Sequence, residues 1–297
     1  MNVTIIGLGL IGGSVARDLR KAHFATHLIG VDASEKHAAE ALEINLVDEV
    51  LPLQQAVAQA DLVVVAIPVD KIRRLLPQIL DMIQPGTTVT DLGSTKLRIC
   101  EAIENHPNRR NYIAAHPMSG TENSGPSAAL EGLFEGKITI ICDQEKSGPQ
   151  HLALVEKMFQ CMGMNIAYMS SDEQDHSTAY ISHLPHVVAY ALANAAMAKE
   201  NRHIIFDLAS GGFNSTVRLA KSTPSMWGPI FQDNKQYIVE SLDMYIKHLI
   251  EFKDSILNNE EKMYELMENA TKIREVLNGS NPSLIKNEEK IIKLYTK

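Results

Sequence analysis

The sequence predicts an α/β fold, an N-terminal Rossmann-type, mainly parallel sheet followed by an all-helical domain. Three observations predict it. Val3-Thr4-Ile5-Ile6 is a β-prone run that leads straight into Gly7-Leu8-Gly9-Leu10-Ile11-Gly12-Gly13-Ser14, and a helical stretch follows. Strand-like and helix-like stretches then alternate as far as about residue 168, the pattern of βαβ units. From Ser171 onward the strand pattern stops and long helical patterns rich in Ala, Leu, Ile and Met take over.

Each element has a local reason. Asn2–Ile6, His27–Val31, Leu62–Ile67, Thr87–Asp91, Tyr112–Ala115, Lys137–Cys142 and Asn165–Tyr168 are short β-prone runs; those rich in Val and Ile suit a sheet covered on both sides. Between them, Ile11–Ala22, Ala38–Ile44, Asp70–Ile83, Leu97–Asn105 and Gln150–Met162 read as helices. Ser171-Asp172-Glu173-Gln174 reads as a capping box opening a helix that runs to about Lys199, kinked by Pro185. Asp233–Leu257 and Glu260–Leu277 are two further helices. Asn278-Gly279-Ser280-Asn281-Pro282 ends the last of them, and a short terminal helix is expected in the Lys-rich tail. The change of character divides the chain into a dinucleotide-binding domain over 1–169 and a helical substrate and dimerisation domain over 170–297. No Gly/Ser-rich linker separates them, so they should pack together. Long Ala-rich amphipathic helices with few aromatics suggest a core completed by a second copy, a homodimer.

Bulk properties narrow the function classes. The 297 residues carry 28 Lys and Arg against 36 Asp and Glu, a formal charge of −8, with no basic block, so nucleic acid is not an expected partner. Cys100, Cys142 and Cys161 lack Cys-x-x-Cys spacing and suit reduced, buried thiols in a cytoplasm. The apolar run from Leu62 to Val69 is too short for a bilayer, and a strand at Asn2 leaves no room for a secretory signal. A cytoplasmic protein without membrane contact is expected.

The glycine fingerprint has a chemistry. Gly7 permits a tight turn, Gly9 lets backbone approach a pyrophosphate, and Gly12 lets helix and strand pack closely. The N–H groups at Leu10, Ile11 and Gly12 open the helix and face the phosphates. Asp32, about twenty residues on and at the end of the second strand, can accept from both ribose hydroxyls, which favours NAD over NADP. Ser34 and Lys36 lie close enough to serve a 2′-phosphate instead. Pro68, at the end of the third strand, is the remaining expected cofactor contact.

Four polar clusters interrupt apolar segments. Asp91-Leu92-Gly93-Ser94-Thr95-Lys96 follows a strand at its carboxyl end, where α/β ligands sit. Ser94 there is either a donor to ligand or, with Thr95, a helix N-cap. His116-Pro117-Met118-Ser119-Gly120-Thr121-Glu122 follows another strand, and His116 is either a proton acceptor or a strand-end cap. Ser182-His183-Leu184-Pro185-His186 puts two imidazoles on one helix face, as site residues or as satisfied interface histidines; a metal is not expected without carboxylates or cysteines alongside. Gly211-Gly212-Phe213 gives a tight turn, and Arg218 beyond it offers a planar fork for a carboxylate or is a surface cation. Met226-Trp227 lies nearby.

In this order, these clusters resemble the prephenate/arogenate dehydrogenase family over about residues 1–255. The resemblance implies an active site in the cleft between the two domains and NAD-dependent oxidative decarboxylation of prephenate to 4-hydroxyphenylpyruvate. It makes His116 the catalytic base at the ring C4 hydroxyl and Ser94 the support of that hydroxyl and the nicotinamide. It gives Arg218 a substrate carboxylate, and Thr121, Glu122, His183 and His186 the pocket. His186 as a donor, or as a cation repelling an ammonium, favours prephenate over arogenate. Tyrosine is an expected competitive inhibitor. Two alternatives remain: a related two-domain hydroxyacid or imino-acid dehydrogenase, which would usually place a lysine where this helix has His183 and His186, and a non-enzymatic NAD-responsive module, which would not need His116, Ser94 and Arg218 together.

Overall fold

The computed structural model describes residues 1–200 and 206–277. The first half contains strands β1 (Asn2–Ile6), β2 (His27–Val31), β3 (Glu49–Val50), β4 (Leu62–Val65), β5 (Thr88–Asp91), β6 (Tyr112–Pro117), β7 (Ile138–Cys142) and β8 (Asn165–Met169). Helices α1 (Leu10–Lys21), α2 (Glu35–Glu43), α3 (Leu53–Ala58), α4 (Val69–Met82), α5 (Leu97–Glu101) and α6 (Pro149–Cys161) connect them. One sheet results, in the order β3-β2-β1-β4-β5-β6-β7-β8, parallel throughout except where β7 turns antiparallel to β6.

The β-prone runs are buried on both faces, and alternation decides which residue faces which layer. On β4, Leu62 and Val64 join the core under α1 and α6, whereas Val63 and Val65 join the one under α3, α4 and α5. The winding reverses between β1 and β4, so the crevice at their carboxyl ends is the expected ligand edge. Gly7 leaves the first of those strands and Pro68 follows the second.

The second half is helical among the described residues: α7 (Ser171–Thr178), a π-helical turn (Ala179–His183), α8 (Leu184–Met197), α9 (Gly211–Val217), α10 (Pro224–Asp233), α11 (Lys235–Asn258), α12 (Glu260–Thr271) and α13 (Ile273–Leu277). Trp227 and Ile230 of α10 complete the second core of the sheet domain, so the halves share apolar packing. No described helix is long and apolar enough to cross a membrane.

Several expectations are corrected. The capping box starts one residue earlier: Ser170 accepts from Glu173 N, and the Glu173 carboxylate accepts from Ser170 N. The long helix to Lys199 is interrupted by the π-helical turn before Pro185, which sits in the first turn of α8 where its missing N–H costs little. The helix expected from Asp233 is present but starts at Lys235: Asp233 ends α10, and Asn234 between the two helices turns its side chain into a buried network. The two-residue β3 and the six-residue α3 were too short for periodicity to reveal. Cys100 and Cys142 are buried but Cys161 is exposed at the end of α6. The expected terminal helix lies outside the described residues.

Candidate active site

The cofactor end is built from the first β-α-β unit. Gly7 has φ +96° and a Cβ there would meet the Ala66 carbonyl, while a Cβ on Gly12 would run into the Gly7 carbonyl oxygen. These contacts bring the start of α1 against β1 and β4. The space beside Gly9 is open, and Gly9 gives α1 no side-chain cap. The first-turn N–H groups at Leu10, Ile11 and Gly12 are therefore available to a pyrophosphate. Asp32 is fixed by two backbone donors, Leu8 N to Oδ2 at 2.9 Å and Ser34 N to Oδ1 at 2.8 Å. Each oxygen keeps a lone pair for a ribose hydroxyl. The Ser34 hydroxyl accepts from His37 N as the N-cap of α2. Pro68 stands at the start of α4 on the far side of the same crevice. The open side of Gly9, the uncapped helix end and the tethered carboxylate fit a dinucleotide.

The substrate end starts from buried charge. Asp91, at the end of β5, accepts from Gly93 N at 2.8 Å and from the Tyr112 hydroxyl at 2.5 Å, and pairs with the Lys96 ammonium. Lys96 is fully buried, and its Nζ also donates to the Ala115 carbonyl at 2.9 Å. A buried ammonium is tolerable only with such partners. Here it ties the Ser94 turn to the residue preceding His116. Burial, then the Asp91 carboxylate, drives the Tyr112 phenol well above its ordinary range.

His116 lies within β6 rather than in the loop after it, on the same face as Tyr112 and Ala114. Burial, then Lys96, then His183, pushes its imidazole down to about 3. It is therefore neutral at neutral pH, as a proton acceptor must be. Ser94 sits on the neighbouring turn, and among the described residues its hydroxyl takes no hydrogen-bond partner. The N-cap reading of Ser94 and Thr95 is overturned. Thr95 Oγ1 donates to Asp233 at 2.7 Å, and the start of α5 is capped by Asp175, which accepts from Lys96 N at 2.7 Å and Leu97 N at 3.0 Å.

The helical half supplies the opposing wall. Asn234 Nδ2 donates to the Asp175 carbonyl and lies 3.1 Å from His183 Nδ1. A carbonyl can only accept, so the amide nitrogen faces both, His183 Nδ1 accepts, and the proton sits on Nε2. That Nε2 is buried without a partner among the described residues, as are Trp227 Nε1 and Gln174 Oε1. His186 stacks on Trp227 with ring centroids 3.4 Å apart, and His183 meets the same indole edge-on at 6.0 Å. His186 Nδ1 donates to the Ser182 carbonyl at 2.9 Å. Burial, ahead of nearby Arg218, pulls the His186 imidazole down. Neutral His186 thus presents Nε2 as an acceptor, which overturns the expectation of a donor or cation there.

Arg218 is half exposed and pairs with Glu122 across the two halves at 3.5 Å. Thr121 is turned to its own loop, accepting from Asn123 N at 3.2 Å. Ser119 donates to the Leu133 carbonyl. Gly211 and Gly212 open α9 with free space around them, in place of the tight turn expected. The structure thus brings His116, Ser94, His183, His186, Glu122 and Arg218 to one seam between the halves and leaves Thr121 at its edge. Sequence reasoning missed Gln174, Asp175, Asp233 and Asn234, which hold that seam. The one signal, a polar pair closing a largely apolar helix, exists for Asp233 and Asn234 only; Gln174 and Asp175 lie inside the uniformly polar α7.

Comparison with known proteins agrees with this layout. Residues 15–168 match the family model described as prephenate dehydrogenase, nucleotide-binding domain, and residues 170–271 match that described as prephenate dehydrogenase, dimerization domain. Over 251 residues the chain is 33% identical to the prephenate dehydrogenase of Bacillus subtilis, covering 83% of this chain and 68% of that one. Over 263 residues it is 31% identical to the cyclohexadienyl dehydrogenase of Zymomonas mobilis, covering 87% and 89%. It is similar to the crystal structure of prephenate dehydrogenase from A. aeolicus in complex with hydroxyphenyl propionate and NAD+. The TM-score is 0.86 and the identity 30%, over 93% of this chain and 98% of that one.

Proposed function

The chain belongs to the prephenate dehydrogenase family and is an NAD-dependent dehydrogenase, and from that premise we propose that it converts prephenate to 4-hydroxyphenylpyruvate at the seam between its halves. The observation that carries this reading is the pair of buried, unsatisfied polar atoms on the wall facing His116: His183 Nε2, and Trp227 Nε1 on the indole that meets His183 edge-on. A folded core rarely leaves such groups unpaired, and a polar ligand would satisfy them.

NAD, when bound, supplies the hydride acceptor. The protein's own residues do the rest. His116 takes the proton of the ring C4 hydroxyl as the hydride departs from that carbon and carbon dioxide leaves the ring. Ser94 holds the hydroxyl. Arg218, which pairs with Glu122, turns its fork to a substrate carboxylate. Alignment of reacting carbons is the main task, because aromatisation drives the step. We place the division of labour at 169/170, with nucleotide binding before it and substrate binding and self-association after it. Val239, Ile246, Leu249, Ile250 and Ile256 of α11 are exposed and apolar, which supports a homodimer through the helical half. Tyrosine, which shares the ring and a carboxylate, would compete at the same seam.

One observation favours a second substrate. Neutral His186 offers an acceptor, which suits arogenate's ammonium, whereas prephenate's keto and carboxylate oxygens only accept and gain nothing from it. The test uses purified protein, NAD, and prephenate or arogenate in separate cuvettes, followed by NADH absorbance. NADH with prephenate is expected; NADH with arogenate alone would move the assignment to the second substrate, and none with either would refute both.

A further inference from the structure

Gln174, in α7, is fully buried and has no part in the chemistry above. Its amide nitrogen lies 3.2 Å from the Ser94 carbonyl, 3.1 Å from His116 Nδ1 and 3.2 Å from Thr178 Oγ1. Its amide oxygen is buried and unpartnered among the described residues. Two of the three neighbours fix which way the amide faces. The Ser94 carbonyl can only accept. Thr178 directs its hydroxyl hydrogen to the Gln174 and Asp175 backbone carbonyls, so toward the amide it accepts too. The amide nitrogen therefore faces His116, and because an amide nitrogen cannot accept, Nδ1 is the ring nitrogen without a proton. A neutral imidazole whose Nδ1 accepts carries its proton on Nε2. In that state neither ring nitrogen has a lone pair free for a substrate proton.

We propose that Gln174 is the positioning residue for His116, a tautomer switch whose amide turns over when substrate binds. Turned, its oxygen accepts from Nδ1–H and from the Thr178 hydroxyl, which swings off the Gln174 and Asp175 carbonyls, the Ser94 carbonyl gives up its contact as the Ser94 turn engages the ligand, and the Nε2 lone pair is free to face the substrate hydroxyl. The tautomer exchange moves one proton from Nε2 to Nδ1 and changes no charge. In the chemical step the hydroxyl O–H bond breaks, the Nε2–H bond forms, and Nδ1 keeps its proton against the amide oxygen. The inference rests on the reading of His116 as the base. The other groups around the ring are Lys96 and its partner Asp91 from the β5–α5 turn, His183 from the π-helical turn, and Asp175 beside Gln174, whose carboxylate is committed to Lys96 N and Leu97 N. Lys96 and His183 both oppose a charged imidazole, so the ring stays neutral until the substrate's proton arrives.

The first test needs no variant. In the holoenzyme with NAD and no substrate, nitrogen-15 histidine spectra, with His116 assigned by comparison to His116→Asn, should show the proton on Nε2. A proton on Nδ1 overturns the proposal. The second test compares Gln174→Met and Gln174→Glu with wild type in steady-state kinetics across pH. Gln174→Met, with neither donor nor acceptor, should lower kcat roughly tenfold or more while KM stays within about threefold. Gln174→Glu introduces a carboxylate that stabilises the imidazolium, so the base form is lost at higher pH. The acid limb of kcat/KM should then rise by about one to three pH units. Wild-type kcat in the first variant together with an unmoved limb in the second overturns the switch. Wild-type turnover in His116→Asn overturns the base assignment and the switch with it, whereas collapse there beside unaffected Gln174 variants overturns the switch alone.

Discussion

Replacing Lys96 with methionine keeps the length and apolar bulk of the side chain and removes its charge. Two contacts are lost: the ion pair to Asp91 and the donation to the Ala115 carbonyl. Removing one partner of a buried pair generally costs about 3–5 kcal/mol, because the other charge is left uncompensated. Asp91 retains its bonds from Gly93 N and the Tyr112 hydroxyl, which soften the loss, so the low end, about 3 kcal/mol, is expected. Urea unfolding followed by far-UV circular dichroism measures it. The double variant Asp91→Asn/Lys96→Met, which buries no charge, should lose less than Lys96→Met alone. The same substitution bears on catalysis. Lys96 is second only to burial in holding the His116 imidazole down. Without it the imidazole gains a proton more readily, and the acid limb of kcat/KM moves to higher pH. A loss under about 1 kcal/mol, or an acid limb that stays in place, would refute the view of Lys96 as the charge that organises the Ser94 turn and His116.

Two further outcomes follow from single contacts. Asp32→Ala should narrow the preference for NAD over NADP in paired KM measurements; an unchanged preference would move the ribose contact elsewhere. Arg218→Ala should raise KM for prephenate by roughly tenfold or more, with kcat changed less; an unchanged KM would return Arg218 to the role of partner to Glu122.

What was legible in the sequence was local. The fingerprint from Gly7 to Gly12 and Asp32 at the end of β2 declare themselves because turn, helix start and strand end are short-range features. The His116 and His183/His186 clusters stood out because imidazoles are costly in apolar surroundings. What escaped was pairing between distant segments. Thr95 binds Asp233 across 138 residues, and Gln174 reaches His116 across 58. No periodicity announces such a contact. The capping of α5 illustrates this: Ser94 and Thr95 have the residue types of an N-cap, yet a carboxylate from the other half of the chain does the work. The direction of the His186 hydrogen bond was equally hidden, because it depends on the Ser182 carbonyl one helical turn away.

Turnover requires a neutral imidazole at position 116 to accept the substrate's hydroxyl proton. His116→Asn preserves shape and hydrogen bonding while removing basicity, so rapid-mixing turnover of prephenate with saturating NAD tests it most directly. The expected result is a fall in kcat of roughly a hundredfold or more, with prephenate binding retained. Turnover within a few-fold of wild type would contradict it.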